Sequence, residues 1–278
     1  YKRILTGSPI TKSPLDLYTQ CEFLKQGLLG FTNYFVFRAR YSVMKQIQVV
    51  GNKNIMIPIY YQNLDELEEK IKQFSYRVKK DECLDLPPKV YEKRFIALSK
   101  QQQDIYNDLK QTCRVIIEDE MVSYTNKLTE ISKLNQVCCG FLKTDDGATK
   151  TLPNAKLNEL INILDEIDGK VIVWATFVDT IKTIVNTLKT KFGSDSTVEI
   201  YGATSLDARN SAIENFQQNK DVRFLVGNPT VAGYGLTLTA ATTVIYFNNS
   251  FNLEVRQQSE DRAHRHGQTK SVTYIDLI

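Results

Sequence analysis

Between Gln257 and Gln268 the chain reads Q-Q-S-E-D-R-A-H-R-H-G-Q, and one glutamine and two arginines in it have spacing that suits phosphate chemistry. On a helix, Gln258, Arg262 and Arg265 stand at i, i+4 and i+7 and leave one face. Two planar, permanently charged forks so placed hold different oxygens of one terminal phosphate and stabilise the charge that grows there during transfer. An isolated R-x-x-R pair is more often a solvated helix face. The segment upstream shifts the balance. Gly227 to Ala241, G-N-P-T-V-A-G-Y-G-L-T-L-T-A-A, follows an apolar strand pattern, and its Gly233 and Gly235 let backbone approach a ligand and offer amides to phosphate.

These residues need a scaffold, and from Asn154 onward the sequence supplies a regular one. Helical periodicity covers Ala155 to Ile167, Val178 to Lys189, Leu206 to Gln217 and Leu253 to Ala263. Short apolar strands fall at Lys170 to Ala175, Thr197 to Tyr201, Val222 to Val226, Thr243 to Phe247 and Ser271 to Leu277. Alternation of this kind predicts an α/β fold, a parallel sheet flanked by helices, with ligands at the carboxyl ends of the strands. Upstream, Tyr1 to Leu5 reads as a short strand. The next hundred residues read as mainly helical: Pro14 to Lys25, Asn63 to Phe74, and a long region from Lys100 to about Phe141. Asp85-Leu86-Pro87-Pro88-Lys89 cannot continue a helix and marks a joint.

Composition narrows the chemistry. Of 278 residues, 42% are hydrophobic and 24% charged, with a net charge of +3, so the charge balance alone does not mark a nucleic-acid binder. The five cysteines lack C-x-x-C spacing, which argues for reduced intracellular thiols and against a zinc site. Both histidines, His264 and His266, lie in the arginine motif, so no Ser-His triad or histidine-rich metal site exists elsewhere. No apolar run reaches the length of a membrane span.

Taken in order, several segments resemble the Snf-two (Swi/Snf) family of superfamily-two helicase-like DNA translocases. L-T-G-S-P-I with L-D-L-Y (Leu5 to Tyr18) is similar to motif III and the following helix, F-L-K-Q-G-L-L-G (Phe23 to Gly30) to the start of a helical insertion, and R-V-K-K-D-E-C-L-D-L-P-P-K (Arg77 to Lys89) to the inter-lobe segment. L-S-K-Q-Q-Q-D-I-Y (Leu98 to Tyr106) resembles the start of lobe two, and K-V-I-V-W-A-T-F (Lys170 to Phe177) motif IV. The glycine loop takes the place of motif V and the arginine segment that of motif VI.

This resemblance implies a RecA-like second lobe: residues 1–13 ending a first lobe, 14–90 a helical insertion and linker, and 91–278 the second lobe with an insertion at about 100–150. It implies ATP as ligand, with Arg265 as the arginine finger and Arg262 as its partner, and with Gln258, Gly233 and Gly235 near the nucleotide. Thr176, Asn228 and Thr230 would meet the phosphate backbone of duplex DNA without reading sequence. The chain departs from the family at Thr230 and Ala232, where an arginine and a further glycine are usual, at Tyr76 in place of an arginine, and at His266 in place of an aliphatic residue. It holds no G-x-x-x-x-G-K-[ST] loop and no acidic box, so the resemblance places the Mg2+ ligands in a separate first lobe and no metal site here. The expected activity is DNA-dependent ATP hydrolysis driving movement on duplex DNA. A strand-separating or annealing helicase, and a non-catalytic DNA-binding module derived from a motor, are the alternatives.

Overall fold

The computed structural model describes residues 1–49, 53–117, 120–123, 127–231 and 235–278. The chain divides into two compact units, Tyr1–Cys83 and Leu84–Ile278.

In the first unit, a 3-10 turn at Pro14–Asp16 leads into α1 (Leu17–Leu24), followed by α2 (Tyr34–Tyr41), β1 (Ser42–Val49), β2 (Lys53–Tyr61), α3 (Leu64–Lys72) and the short α4 (Lys80–Cys83). Ser13 and Asp16 form a reciprocal capping box around the first turn, and Leu15, Leu17, Cys21, Leu29, Phe37, Tyr41 and Leu67 bury the core of this unit. Two sequence expectations fail here. Tyr1 to Leu5 is not a strand, because it has no sheet partner among the described residues. The region is also not mainly helical, since β1 and β2 pair antiparallel from Ser42↔Tyr61 to Val49↔Lys53. The β-branched residues Val43, Ile47, Ile55, Ile57 and Ile59 carry that preference.

The second unit comprises β3 (Lys89–Arg94), α5 (Lys100–Thr112), β4 (Arg114–Ile117), β5 (Glu120–Ser123), α6 (Lys127–Cys138), β6 (Phe141–Lys143), β7 (Thr149–Thr151), α7 (Ala155–Glu166), β8 (Lys170–Trp174), α8 (Val178–Phe192), β9 (Thr197–Ile200), α9 (Leu206–Gln218), β10 (Phe224–Gly227), β11 (Ala241–Tyr246), α10 (Leu253–Ala263) and β12 (Val272–Leu277). The mainly helical region expected from Lys100 to about Phe141 is interrupted. Helix α5 stops at Cys113, which takes a left-handed φ of 61°, and β4 and β5 then form an antiparallel hairpin before α6.

Six strands form the main sheet in the order β3-β12-β11-β8-β10-β9, every pair parallel. Strand β8 shows why the sheet sits between helices. Val171 and Val173 pack with Leu160, Ile163 and Leu164 of α7 and Ile181, Ile184 and Leu188 of α8 on one face. Ile172 and Trp174 pack with Phe216 of α9 and Ala263 of α10 on the other. Period-two alternation thus buries both faces, as a central parallel strand requires. Gly227 is fixed by closeness: a Cβ there would lie 2.7 Å from the Ile200 carbonyl oxygen and 3.1 Å from the Trp174 ring.

From β8 the chain crosses to β9 on one side and, after β10, to β11 on the other. The carboxyl ends of β8, β10 and β11 therefore meet at a switch point of the sheet, the usual ligand crevice of such folds. Among the described residues no helix is long and apolar enough to cross a membrane.

Candidate functional site

Helix α10 begins where Asn252 caps it, its Oδ1 accepting from the backbone N–H of Glu254 at 3.0 Å and of Val255 at 3.3 Å. A polar web fastens its inner side to the sheet. Glu260 accepts from Arg256 Nε at 2.8 Å, Lys89 Nζ at 3.0 Å and the Tyr91 hydroxyl at 2.8 Å. Arg256 also forks onto Asp276, through Nη1 to Oδ1 and through Nη2 to Oδ2 at 3.0 Å, and donates to Asn249 Oδ1 at 2.9 Å. Its guanidinium lies 3.6 Å from the Tyr246 ring centre, and the Tyr246 hydroxyl meets Ser259 Oγ at 2.6 Å. Neither Arg256 nor Glu260 stood out in the sequence. Their partners sit on β3 and β12, far away along the chain.

At the other end of α10 the arrangement differs from expectation. The helix stops at Ala263 with His264 as its cap, so Arg265 is not on the helical face that carries Gln258 and Arg262. A turn through Gly267, at φ +94°, positions it instead. Burial, then the charge of Arg265, push the Arg262 guanidinium below its usual value. Both arginines are half-buried. Gln258 is half-buried too, and its amide donates to Glu254 Oε1 at 2.8 Å, within its own helix.

The glycine loop is tied to this end. Arg265 Nη1 donates to the Leu236 carbonyl at 3.2 Å, and the Leu238 N–H donates to the Arg262 carbonyl at 2.9 Å. Gln268 Nε2 spreads over the carbonyls of Thr239, Ala241 and Ala263 at 3.0, 3.1 and 3.2 Å. Gly235, next to Leu236, is exposed at φ +69°, a conformation that favours glycine. Gly233 lies outside the described residues. Among those described, no cluster of three His, Cys, Asp or Glu side chains could hold a metal ion.

At the switch point Thr176, Asn228 and Thr230 come together, joined by a residue the sequence reading missed. Asn248, buried just past β11, accepts from the Thr176 N–H at 2.9 Å and donates to its Oγ1 at 2.5 Å. Asn228 Nδ2 donates to the Thr176 carbonyl at 3.0 Å, while its Oδ1 accepts the Thr230 N–H at 2.9 Å. Asn228 therefore spends its side chain on neighbouring backbone. The Thr230 residue is exposed, and the Thr176 hydroxyl keeps its own proton for a further acceptor. Behind Asn248, the buried Lys156 ammonium donates to the Phe247 carbonyl at 3.3 Å and the Leu277 carbonyl at 2.7 Å. The amide pair Asn248-Asn249 at the end of an apolar strand was the available signal.

A SNF2-related domain matches residues 1–162, more than half of the chain, and a Helicase conserved C-terminal domain matches residues 155–267. The chain belongs to the SNF2-related family. It is 29% identical over 279 residues to the uncharacterized ATP-dependent helicase MG018 of Mycoplasma genitalium, covering 99% of this chain and 25% of that protein. To the SWI/SNF-related matrix-associated actin-dependent regulator of chromatin subfamily A-like protein 1 homolog of Caenorhabditis elegans it is 29% identical over 290 residues, covering 99% and 37%. This SNF2-related chain thus spans 25% to 37% of the length of these two curated relatives.

Among solved structures, the Sulfolobus solfataricus SWI2/SNF2 ATPase core domain superposes with a TM-score of 0.52 at 26% identity, over 99% of this chain and 55% of that one. A Sulfolobus solfataricus SWI2/SNF2 ATPase core in complex with dsDNA gives 0.50 at 26%, over 99% and 56%. The six-stranded parallel sheet and its helices are thus the RecA-like lobe of SNF2-type ATPases.

Proposed function

We propose that this SNF2-related chain is the C-terminal motor lobe of an ATP-dependent translocase on duplex DNA. The carrying observation is the arginine pair: two half-buried guanidiniums, the charge of Arg265 disfavouring that on Arg262, with Arg265 bonded to the Leu236 carbonyl next to the exposed Gly235. Crowded, partly desolvated like charges at the end of a helix fit an anion that both can grip, and a terminal phosphate matches their forks. Bound ATP with Mg2+ would supply the transferable phosphoryl group. The metal's ligands are assigned to a companion first lobe on the family resemblance.

In this reading Arg265 stabilises the charge that grows on the transferred group and Arg262 holds the same anion from the helix end. Gln258 positions the polar face of α10 through Glu254. The Thr176 and Thr230 hydroxyls donate to phosphate oxygens of one DNA strand, while Asn228 and Asn248 keep them in register. Such contacts grip the backbone and leave the bases unread, as a protein that steps along DNA requires. The two grips both belong to the unit Leu84–Ile278. Residues 1–13 are assigned to the end of the companion lobe, 14–90 to insertion and linker, and 91–278 to the second lobe.

The test is Arg265→Ala in the full-length protein. Removal of an arginine finger lowers the rate by about 10³ to 10⁵, roughly 4 to 7 kcal/mol of barrier. DNA-stimulated ATP hydrolysis near the wild-type rate would refute the assignment.

A further inference from the structure

The proline segment that opens the second unit is bonded directly to the residues around Arg262. The chain leaves the first unit at Cys83 and begins the second at Leu84, three residues before Pro87. Pro87 and Pro88 have fixed φ, and a residue before proline is confined to extended backbone, so the Pro87 carbonyl has little freedom. It lies 2.7 Å from His264 Nε2. A carbonyl only accepts, so Nε2 carries the proton and donates. His264 is 8% exposed and caps α10 between Arg262 and Arg265.

Two residues further on, the contact continues. Lys89 Nζ donates to Glu260 Oε2 at 3.0 Å and Asp261 Oδ1 at 3.2 Å, and the Tyr91 hydroxyl donates to the same Glu260 oxygen at 2.8 Å. Residues 87, 89 and 91 thus run alongside residues 260, 261 and 264, on both sides of Arg262 in sequence. Lys89 further sits over the Tyr274 ring at 5.6 Å, and Tyr91 stacks on it at 5.4 Å. The Tyr274 hydroxyl closes the cluster by donating to the Glu260 carbonyl at 2.9 Å.

We infer that His264 is a positioning residue: through the Pro87 carbonyl it couples the proline segment that opens the second unit to the placement of the arginine pair. The physical reason is the repulsion between the two guanidiniums. Arg265 lies beyond the helix on a glycine turn, so helical hydrogen bonds do not hold it against Arg262. The bond from His264 to the Pro87 carbonyl fixes the residue that stands between them in the chain. A shift of the proline segment then moves the arginines, and the rate of phosphoryl transfer responds to it. Closeness to the growing charge matters in the transition state more than in the ground state, so the effect belongs in kcat.

This inference rests on the nucleotide reading of the arginines, and its test separates the two. In the full-length protein, His264→Phe keeps the ring and removes the donor. Loss of one buried hydrogen bond predicts a fall in kcat of about tenfold with the KM for ATP within about twofold. His264→Gln, which restores an N–H at similar reach, recovers most of it. Pro88→Gly, which frees the Pro87 carbonyl, lowers kcat in the same way, and the double variant H264F/P88G is no worse than either alone.

Unchanged kcat in H264F, no rescue by glutamine, or effects of H264F and P88G that multiply would each overturn the coupling. If H264F does not fold, P88G carries the test, and its unchanged kcat is the refuting result. Arg265→Ala inactive with H264F unaffected removes the coupling alone. Arg265→Ala near wild type removes the nucleotide reading and the coupling with it.

Discussion

The two ends of α10 each carry arginine, and the structure uses them in opposite ways. Arg256 near the start is enclosed by carboxylates: burial works against its charge, but the hydrogen bonds it donates to Asp276 and Glu260 outweigh burial and hold the guanidinium above its usual value. Arg262 in the last turn is pushed the other way, by burial and by Arg265. A helix six residues along thus passes from a satisfied cation to a crowded one. Charge and burial are similar at the two positions; the partner set differs. The satisfied end is a fastening, and the crowded end is where an added anion gains most.

The largest way to break this contrast is to empty the satisfied end. Glu260 is 6% exposed and bonds three donors. Glu260→Leu leaves Arg256 and Lys89 short of a partner, and removal of one member of a buried pair costs about 3 to 5 kcal/mol. Chemical denaturation of the variant should show that loss. Stability within about 0.5 kcal/mol of wild type would mean the web is ornamental.

A smaller effect is expected at the neutral cluster across the sheet. Asn248→Ala leaves the Thr176 N–H without its side-chain acceptor, which predicts about 1 to 3 kcal/mol of destabilisation. Weakened binding of duplex DNA should accompany it, with an unchanged dependence on salt, because no charge is removed. A changed salt slope would show that the cluster does more than hold backbone.

The smallest test is a pH profile. Burial, then Glu260, push the Tyr91 hydroxyl up to about 12. A tyrosine whose folded pKa exceeds its unfolded value, near 10, contributes stability that is intact below 10 and lost as pH rises toward 12. Tyr91→Phe should flatten the fall in stability over that window. An equal slope in the variant would place the titration in other groups.

Much of the second unit was legible in the sequence because the signals are local. The apolar run in Lys170–Trp174 follows from burial of both faces of a central strand, and the 3.6-residue periodicity in Val178–Phe192 from the one helix face that meets the sheet. The first unit was less legible. Its antiparallel pair β1 and β2 was missed although Val43, Ile47, Ile55 and Ile57 favour strand; in the second unit, Lys100 to Phe141 was read as one helical region across the left-handed stop at Cys113.

By itself the sequence determined the alternating strands and helices from Ala155 onward, the order of the family segments, and the spacing of Arg262 and Arg265. Tertiary structure decided which polar groups are spent. Asn248 meets Thr176 across 72 residues and Lys89 meets Glu260 across 171, contacts that exist only because the sheet order sets β11 beside β8 and β3 beside β12. It also set Arg265 on a turn rather than a helix, since a glycine at φ +94° and the Gln268 amide act after the helix has ended. Periodicity is a property of neighbours along the chain. Pairing of charges is a property of neighbours in space, and no spacing rule within one segment contains it.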